Sequence, residues 1–257
     1  MRAIKALGQN FLNQPDIARQ IVELAGIQPG EKVWEIGPGH GILTRALLAA
    51  GPRLRAFELD RRLEAPLREE FGDSIELLMG DVLRLDWEAE LARSHQPLKL
   101  VANIPYNITS PLLHKLEKHH LAFTAATLMV QKEVAERICA EPNRKAYGVM
   151  TLRLRRIFDA QILMEVTRNN FEPAPNVDSA VLSLKPRAVP AVIPDLAKYL
   201  KLIDLAFSHR RKTLRNNLAA LLDKDGLRRI QDQSGIDLTR RGETLSEAEF
   251  IALSALL

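Results

Sequence analysis

From Lys32 to Gln131 the chain alternates short β-rich runs with longer helical patterns, and this alternation restricts the available folds more than any other feature. KVWEI (Lys32 to Ile36), RLRAFEL (Arg53 to Leu59), SIELLMG (Ser74 to Gly80), LKLVANI (Leu98 to Ile104) and AATLMVQ (Ala125 to Gln131) read as strands. They are short, apolar runs bounded by turn signals. GILTRALLAAG (Gly41 to Gly51), DRRLEAPLREEF (Asp60 to Phe71) and the stretches from about Ser110 to His119 and Glu133 to Ala140 read as helices. Strand and helix in turn predict βαβ units around a mostly parallel sheet, because a parallel neighbour needs a crossover that returns the chain to the same end. The fold class is therefore α/β.

The rhythm then changes. Ala160 to Val166 and Ser179 to Leu184 are strand-like, and the turn-rich NNFEPAPNVD lies between them without a helix. This predicts an antiparallel hairpin at the edge of the sheet. PRAVPAVIPD, from Pro186, is proline-rich and extended, which marks a boundary. Beyond it LAKYLKLIDLAF, KTLRNNLAALL and SEAEFIALSALL carry helical periodicity. Two domains are expected: residues 1–186 with the sheet, and residues 187–257 as a small all-α domain.

Composition narrows the class further. With 46% hydrophobic and 26% charged residues in 257, disorder, collagen and coiled coil are excluded. Cys139 is the sole cysteine, so no internal disulfide and no cysteine-cluster metal site is expected. The longest apolar run, Leu121 to Val130, is about half of a roughly 20-residue membrane span. MRAIKALGQNFLNQ has no long apolar stretch, so a secretory signal is not expected and a cytoplasmic location is. A net charge of +4 is compatible with a polyanionic partner if the charge is concentrated somewhere.

Glu35-Ile-Gly-Pro-Gly-His-Gly41 ends the first of these strands and opens a helix. Gly37, Gly39 and Gly41 let the backbone turn tightly and approach a bulky ligand. The spacing is not that of dinucleotide binders, and Pro38 removes an N–H that a pyrophosphate cradle would use. A ligand without phosphate fits better. Glu58 ends the next strand, where a carboxylate accepts from both hydroxyls of a ribose. Asp81 lies just past the third strand, where it can accept from the exocyclic amine of an adenine. Any one of these acids could be a surface charge, but all three elements fall at the carboxyl edge of a parallel sheet, which points to an adenosine-type cofactor.

Asn103-Ile104-Pro105-Tyr106 closes the fourth strand. In this company it resembles the [Asn/Asp/Ser]-x-Pro-aromatic signature of S-adenosylmethionine-dependent methyltransferases that modify exocyclic amines. The chemistry suits the pattern. The lone pair of adenine N6 is delocalised into the ring; acceptors for the amine hydrogens, here the Asn103 side-chain oxygen and the Ile104 carbonyl, turn it toward the methyl donor. Pro105 stiffens the turn, and Tyr106 offers a face for the base. No strong general base is needed, because the methylated ammonium product is acidic. Phe171, flanked by polar residues and prolines, reads as a poorly buried second stacking face that would clamp an extruded base with Tyr106.

Three further stretches resemble the ribosomal RNA adenine dimethyltransferase family: Gly8-Gln9-Asn10-Phe11-Leu12, FEPAPNVDSAV (Phe171 to Val181) and FSHRRKTLRNNL (Phe207 to Leu218). The last is similar to the small-subunit branch. The resemblance implies a Rossmann-like class I methyltransferase sheet, mostly parallel with an antiparallel edge hairpin, and an N-terminal segment that closes over the cofactor. It implies S-adenosylmethionine held by Asn10, Leu12, Gly37, Glu58, Asp81 and Asn103, with Glu35 and Gly39 of the glycine loop in the same site. Asn103, Ile104, Pro105, Tyr106 and Phe171 would form the catalytic set. The implied reaction is N6,N6-dimethylation of two adjacent adenosines in the 3′-terminal hairpin loop of 16S rRNA, late in small-subunit assembly, by a monomer with no protein partner and no membrane.

The basic cluster then has a use. Arg210, Arg211, Lys212 and Arg215, next to His209 and preceded by Lys198 and Lys201, are expected to contact rRNA phosphates. Residues 210, 211 and 215 cannot all point the same way on a helix, so some must pack locally. His114, His119 and His120 lack the partners of a metal site, no metal is expected, and Asp60 reads as a helix cap. The competing readings are the large-subunit branch, a non-catalytic assembly factor on the same fold, a DNA adenine methyltransferase and a nucleotide oxidoreductase. The first lacks a reason for RRKTLRNNL, the second for an intact Asn103 tetrapeptide and Glu58. The third would need a recognition domain that the chain has no room for, and the fourth explains only the glycine loop.

Overall fold

The computed structural model describes residues 3–4, 7–94 and 97–257. Phe11–Leu12 forms a two-residue strand, β1, followed by helix α1 (Pro15–Ala25). Pro15 opens that helix where its missing N–H costs nothing, and Gly26 closes it in the left-handed conformation. Strands and helices then alternate: β2 (Lys32–Ile36), α2 (Ile42–Ala49), β3 (Arg53–Glu58), α3 (Glu64–Phe71), β4 (Ile75–Met79), α4 (Trp87–Ala92), β5 (Leu98–Asn103), α5 (Thr109–Lys118) and β6 (Phe123–Gln131). Next come α6 (Lys132–Cys139), α7 (Val149–Arg155), β7 (Phe158–Val166), β8 (Phe171–Glu172) and β9 (Ser179–Pro186). The chain ends in α8 (Leu196–Ser208), α9 (Leu214–Leu218), α10 (Lys224–Ser234) and α11 (Glu247–Ser254).

The seven-stranded sheet has the order β4-β3-β2-β5-β6-β9-β7. From β4 through β6 the neighbours are parallel, as the alternation predicts. β9 runs antiparallel to β6 and inserts between it and β7, so the chain's last strand is inside the sheet and β7 is the edge. The central strands are buried on both faces: Val33, Leu100, Val101, Ala102, Leu128 and Val130 are all in the core. This explains why they read as unbroken apolar runs and not as alternating ones. Trp34 on β2 meets Phe57, Trp87 and Phe123 with ring centroids 4.9, 5.5 and 6.0 Å away, edge-on to each. Such tilted aromatic packing gains from complementary ring quadrupoles as well as from buried area.

The strand order carries the consequence for function. The chain moves outward from β2 to β3 and β4, then returns to place β5 on the other side of β2. Crevices form at such reversals, outside the carboxyl ends of the strands. The register makes those ends level: Ile36 is opposite Phe57 and Ala102, and Glu58 is opposite Met79.

Two compact units emerge: Met1–Ala135 with Asp159–Pro186, and Glu136–Phe158 with Arg187–Leu257. The second unit has its own core around Tyr199, Leu202, Ile203, Leu214, Leu218 and Phe250. Helices α8, α9 and α10 start at side-chain caps: Asp195 accepts from Lys198 N–H, Thr213 from Asn216 N–H, and Asp223 from Gly226 N–H. Ser246 and Glu249 form a reciprocal capping box that opens α11. The sequence places a single cut at 186/187, whereas the units also exchange at 135/136 and 158/159. The physical reason is burial: Tyr147 and Leu152 sink into the helical core. Among the described residues no helix is long and apolar enough to cross a membrane.

Candidate active site

At the carboxyl end of β2 the backbone makes its tight turn with Gly37, Gly39 and Gly41 all at positive φ (72°, 59° and 75°). The three are not there for the same reason. A Cβ on Gly41 would lie 2.5 Å from the Phe71 ring of α3, and one on Gly39 would lie 2.9 Å from the Phe11 ring. Both separations are shorter than carbon atoms tolerate, so Gly41 makes room for helix packing and Gly39 for the N-terminal segment. A Cβ on Gly37 would meet nothing nearer than 3.7 Å, and both Gly37 and Gly39 border a cavity of about 1100 Å³, mouth included.

Three carboxylates lie close to this turn, and their surroundings divide them. Glu58 is 5% exposed and lines the cavity. One of its oxygens accepts the Gly39 N–H at 3.1 Å and the other the Asp60 N–H at 2.8 Å. The carboxyl is thereby fixed while each oxygen keeps a second lone pair. Burial pushes its pKa up, against those backbone hydrogen bonds. Asp60 is the opposite case: the Arg62 guanidinium, at 2.9 and 2.6 Å, holds its carboxyl well below the usual range. It caps the short turn that follows β3, as expected, and it also accepts from Gln9 Nε2 at 2.9 Å.

Glu35 is the third, and here the expectation of a cofactor contact is corrected. It is wholly buried and does not border the cavity; its Oε2 accepts from Thr44 Oγ1 of α2 at 2.8 Å. Its Oε1 has no hydrogen-bond partner among the described residues. Burial pushes its pKa up to about 8, helped by the nearby charge of Glu58. An inward-pointing residue on a strand buried on both faces has nowhere else to go. Asp81 does border the cavity, just past β4, and its Oδ1 accepts the Leu83 N–H at 2.9 Å.

The N-terminal segment passes beside these groups. Gln9 reaches Asp60 with its amide nitrogen and accepts the Ile4 N–H at 2.7 Å with its oxygen. The Asn10 carbonyl accepts from Asn103 Nδ2 at 3.3 Å. A Cβ on Gly8 would stand 2.6 Å from Asn107 Oδ1, so this segment touches the site at both the Asp60 end and the Asn103 end. β1 then pairs antiparallel with β8, Phe11 opposite Glu172 and Leu12 opposite Phe171. Asn10 lines the cavity; Leu12 does not, because its side chain is in the core.

Asn103, Ile104, Pro105 and Tyr106 wrap one side of the same cavity. The Ile104 N–H donates to the Met129 carbonyl of β6 at 3.2 Å, which prolongs the sheet contact by one residue past β5. With the Asn103 amide nitrogen committed to Asn10, its oxygen is left as the acceptor for an incoming amine. Tyr106 is half-buried, with its hydroxyl 2.7 Å from Ser179 Oγ. Phe171 also borders the cavity, but it is 2% exposed. The expectation of a poorly buried loop aromatic is corrected: the β1–β8 pairing folds Phe171 into the core, a long-range contact between two-residue strands that no local pattern announces.

The residues present fit an adenosylated methyl donor. A fixed carboxylate (Glu58), a second one (Asp81) and a glycine of the tight turn (Gly37) share one cavity with the Asn103–Tyr106 turn. In the second unit, the expected RNA-contacting residues divide. Arg210 donates to the Lys145 carbonyl at 2.7 Å and the Tyr147 carbonyl at 3.3 Å, and Arg215 donates to Gln231 Oε1 at 2.8 Å. Arg211 and Lys212 are exposed in the turn between α8 and α9.

Comparison with known proteins agrees with this chemistry. The sequence model of a family described as "Ribosomal RNA adenine dimethylase" matches residues 2–256. A protein of Lactobacillus delbrueckii subsp. bulgaricus named "Ribosomal RNA small subunit methyltransferase A" is 40% identical over 99% of this chain and 90% of its own length. One of the same name from Syntrophotalea carbinolica is 42% identical over 100% of this chain and 97% of its own. Among solved structures, the 23S rRNA methyltransferase ErmE is similar with a TM-score of 0.75 and 26% identity, covering 96% of this chain and 99% of that one.

Glu35 gives the site a pH signature. In the folded chain it keeps its proton up to about pH 8, whereas unfolded it ionises near 4.5. Between these values the folded state binds more protons, so the stability linked to Glu35 is complete below the lower value and is lost as pH rises through the upper one. Urea unfolding of the parent and of Glu35→Gln, from pH 5 to pH 9, should show the midpoint of the variant gaining on that of the parent as pH rises. A constant gap across the range would contradict a protonated Glu35.

Proposed function

The chain belongs to the ribosomal RNA adenine dimethylase family and is an S-adenosylmethionine-dependent rRNA adenine N6,N6-dimethyltransferase; we propose that its substrate is 16S rRNA in the small ribosomal subunit. There it would dimethylate two adjacent adenosines of the 3′-terminal hairpin loop, late in assembly, as a cytoplasmic monomer. The observation that carries the substrate is the pair of 40–42% identical relatives named for the small subunit, together with the Phe207 to Leu218 stretch.

S-adenosylmethionine, when bound, supplies an electrophilic methyl group on a sulfonium. Glu58 would hold its ribose hydroxyls on the free lone pairs of a carboxylate already fixed by Gly39 and Asp60. Asp81 would accept from the adenine amine of the cofactor, and Gly37 would let the backbone approach. On the target side, the Asn103 oxygen and the Ile104 carbonyl would each accept one hydrogen of the exocyclic amine and so direct the lone pair outward. Tyr106 would stack on the base, with Phe171 behind it at the core boundary. The methyl group would pass to the nitrogen held by Asn103 and Ile104, and the methylated amine would give its proton to water. Alignment for in-line displacement is the main contribution of these side chains. After the first transfer one N–H remains; a neutral Asn103 can reorient to serve it.

The direct test supplies labelled S-adenosylmethionine with purified unmethylated small subunits, large subunits and duplex DNA, followed by digestion to nucleosides. Label in N6,N6-dimethyladenosine from small subunits alone is the expected result. Label from large-subunit RNA would assign the chain instead to the activity of the structurally similar 23S rRNA methyltransferase.

The helical unit is proposed to hold the RNA through Arg211 and Lys212, while Arg210 and Arg215 brace the turn. Each phosphate contact on single-stranded RNA contributes about 0.7 to the slope of log K against log salt. Replacing Arg211 and Lys212 with Gln should therefore flatten the slope for subunit binding by about 1.4, with cofactor affinity unchanged. An unchanged slope would remove these residues from the interface.

A further inference from the structure

We propose that Ser179 is a positioning residue for methyl transfer, its hydroxyl holding the Tyr106 ring in the attitude that receives the target base. The inference rests on the reading of Tyr106 as the stacking face and adds what keeps that face in place. Tyr106 begins a single turn of 3-10 helix, Tyr106–Ile108, immediately after Pro105, and is half-buried on the cavity wall. An aromatic side chain in that position can rotate into the cavity and cover its own apolar face there. A base arriving from solution would then have to displace it. A hydrogen bond at the far end of the ring prevents this at the cost of two side-chain torsions.

The bond is well made. The two hydroxyl oxygens are 2.7 Å apart, the ordinary distance for O–H···O. Ser179 has no exposed surface, so water does not compete for it. It is also a rigid anchor: it opens β9, stands opposite Gln131 of β6, and β9 has a strand on each side. The residue before it is pinned too, since the Asp178 carbonyl accepts the Lys132 N–H at 2.9 Å and its carboxylate accepts from Arg168 Nε at 3.0 Å.

The catalytic turn is therefore moored twice to the same pair of strands. Ile104 is tied by its main chain to Met129 of β6, and Tyr106 by its side chain to the first residue of β9. Ser179 is also where the chain that carries Phe171 returns to the sheet. One hydroxyl pair thus sets the relation between the stacking tyrosine and the segment bearing the second aromatic. A phenylalanine at 106 would stack as well but would have nothing to hold it.

The test measures single-turnover transfer of the first methyl group to small subunits, with cofactor affinity and subunit affinity measured separately. Because a displacement on the order of 1 Å costs up to about a hundredfold in an oriented reaction, Ser179→Ala should lower the transfer rate roughly tenfold. Both affinities should stay within about twofold, a split that a general loss of structure would not give. Tyr106→Phe should reproduce that loss, and the double variant should be no slower than either single one. 2-Aminopurine at the target position should be less quenched on binding to either variant than to the parent, since its emission reports stacking. Tyr106→Ala separates the two ideas. Loss of transfer in Tyr106→Ala, with Ser179→Ala and Tyr106→Phe both at the parental rate, would overturn the mooring and leave the stacking face standing. Parental transfer by Tyr106→Ala would overturn both. Multiplying losses in the double variant would also overturn the mooring. If Ser179→Ala fails to fold, Tyr106→Phe breaks the same hydrogen bond from the other side, and its rate decides.

Discussion

The level register of β2, β3, β4 and β5 is the constraint on which the site depends. Parallel pairing sets Ile36 against both Phe57 and Ala102, and Glu58 against Met79. Four strand ends therefore stop at one height, and the residues at or just beyond them, among them Gly37, Glu58, Gly80 and Asn103, line one cavity. A slip of one residue in any of these pairs would turn that strand's side chains over. Close packing of differently shaped side chains on each buried face resists such a slip. Core packing and the placement of the functional groups are the same fact seen from two sides.

Near the glycine turn, one type of functional group is put to three uses by its surroundings. Glu35, buried with only Thr44 for company, is held neutral at physiological pH and bridges β2 to α2. Asp60, beside Arg62, is held ionised and serves as the anchor for Gln9. Glu58 lies between these extremes, buried but supplied with two backbone N–H groups, and it alone of the three borders the cavity. The hydrogen bond from the Asp60 N–H links Glu58, the carboxylate proposed to bind the ribose, to the residue that fastens Gln9. At this end of the cavity the N-terminal segment and Glu58 are thus joined through Asp60.

Much of this was legible in the sequence where the signal was local. Buried parallel strands make apolar runs, so the strands from Lys32 to Gln131 and the acids at their ends could be read directly. Asn103 to Tyr106 could be read from chemistry, because the amine needs acceptors and an aromatic face. What could not be read was set by long-range pairing. Two-residue strands such as Phe11–Leu12 and Phe171–Glu172 have no period, yet their pairing takes Leu12 and Phe171 into the core. Likewise Glu35 looks like a ligand-facing acid until the pleat of β2 turns it inward, and Gly41 looks like a ligand cradle until Phe71 is found against it. Residues 136–158 join the helical unit because Tyr147 and Leu152 bury there, which no composition shift marks.

The most direct test of this account is a crystal structure with S-adenosylhomocysteine, the demethylated product of the cofactor. The ribose hydroxyls should be hydrogen-bonded to the Glu58 carboxylate, the adenine amine to Asp81, and the sulfur turned toward the Asn103–Tyr106 turn, with Glu35 still bonded to Thr44 and out of contact. A ligand bound outside this cavity, or one inside it with Glu58 unengaged, would contradict the assignment from which the rest of the account proceeds.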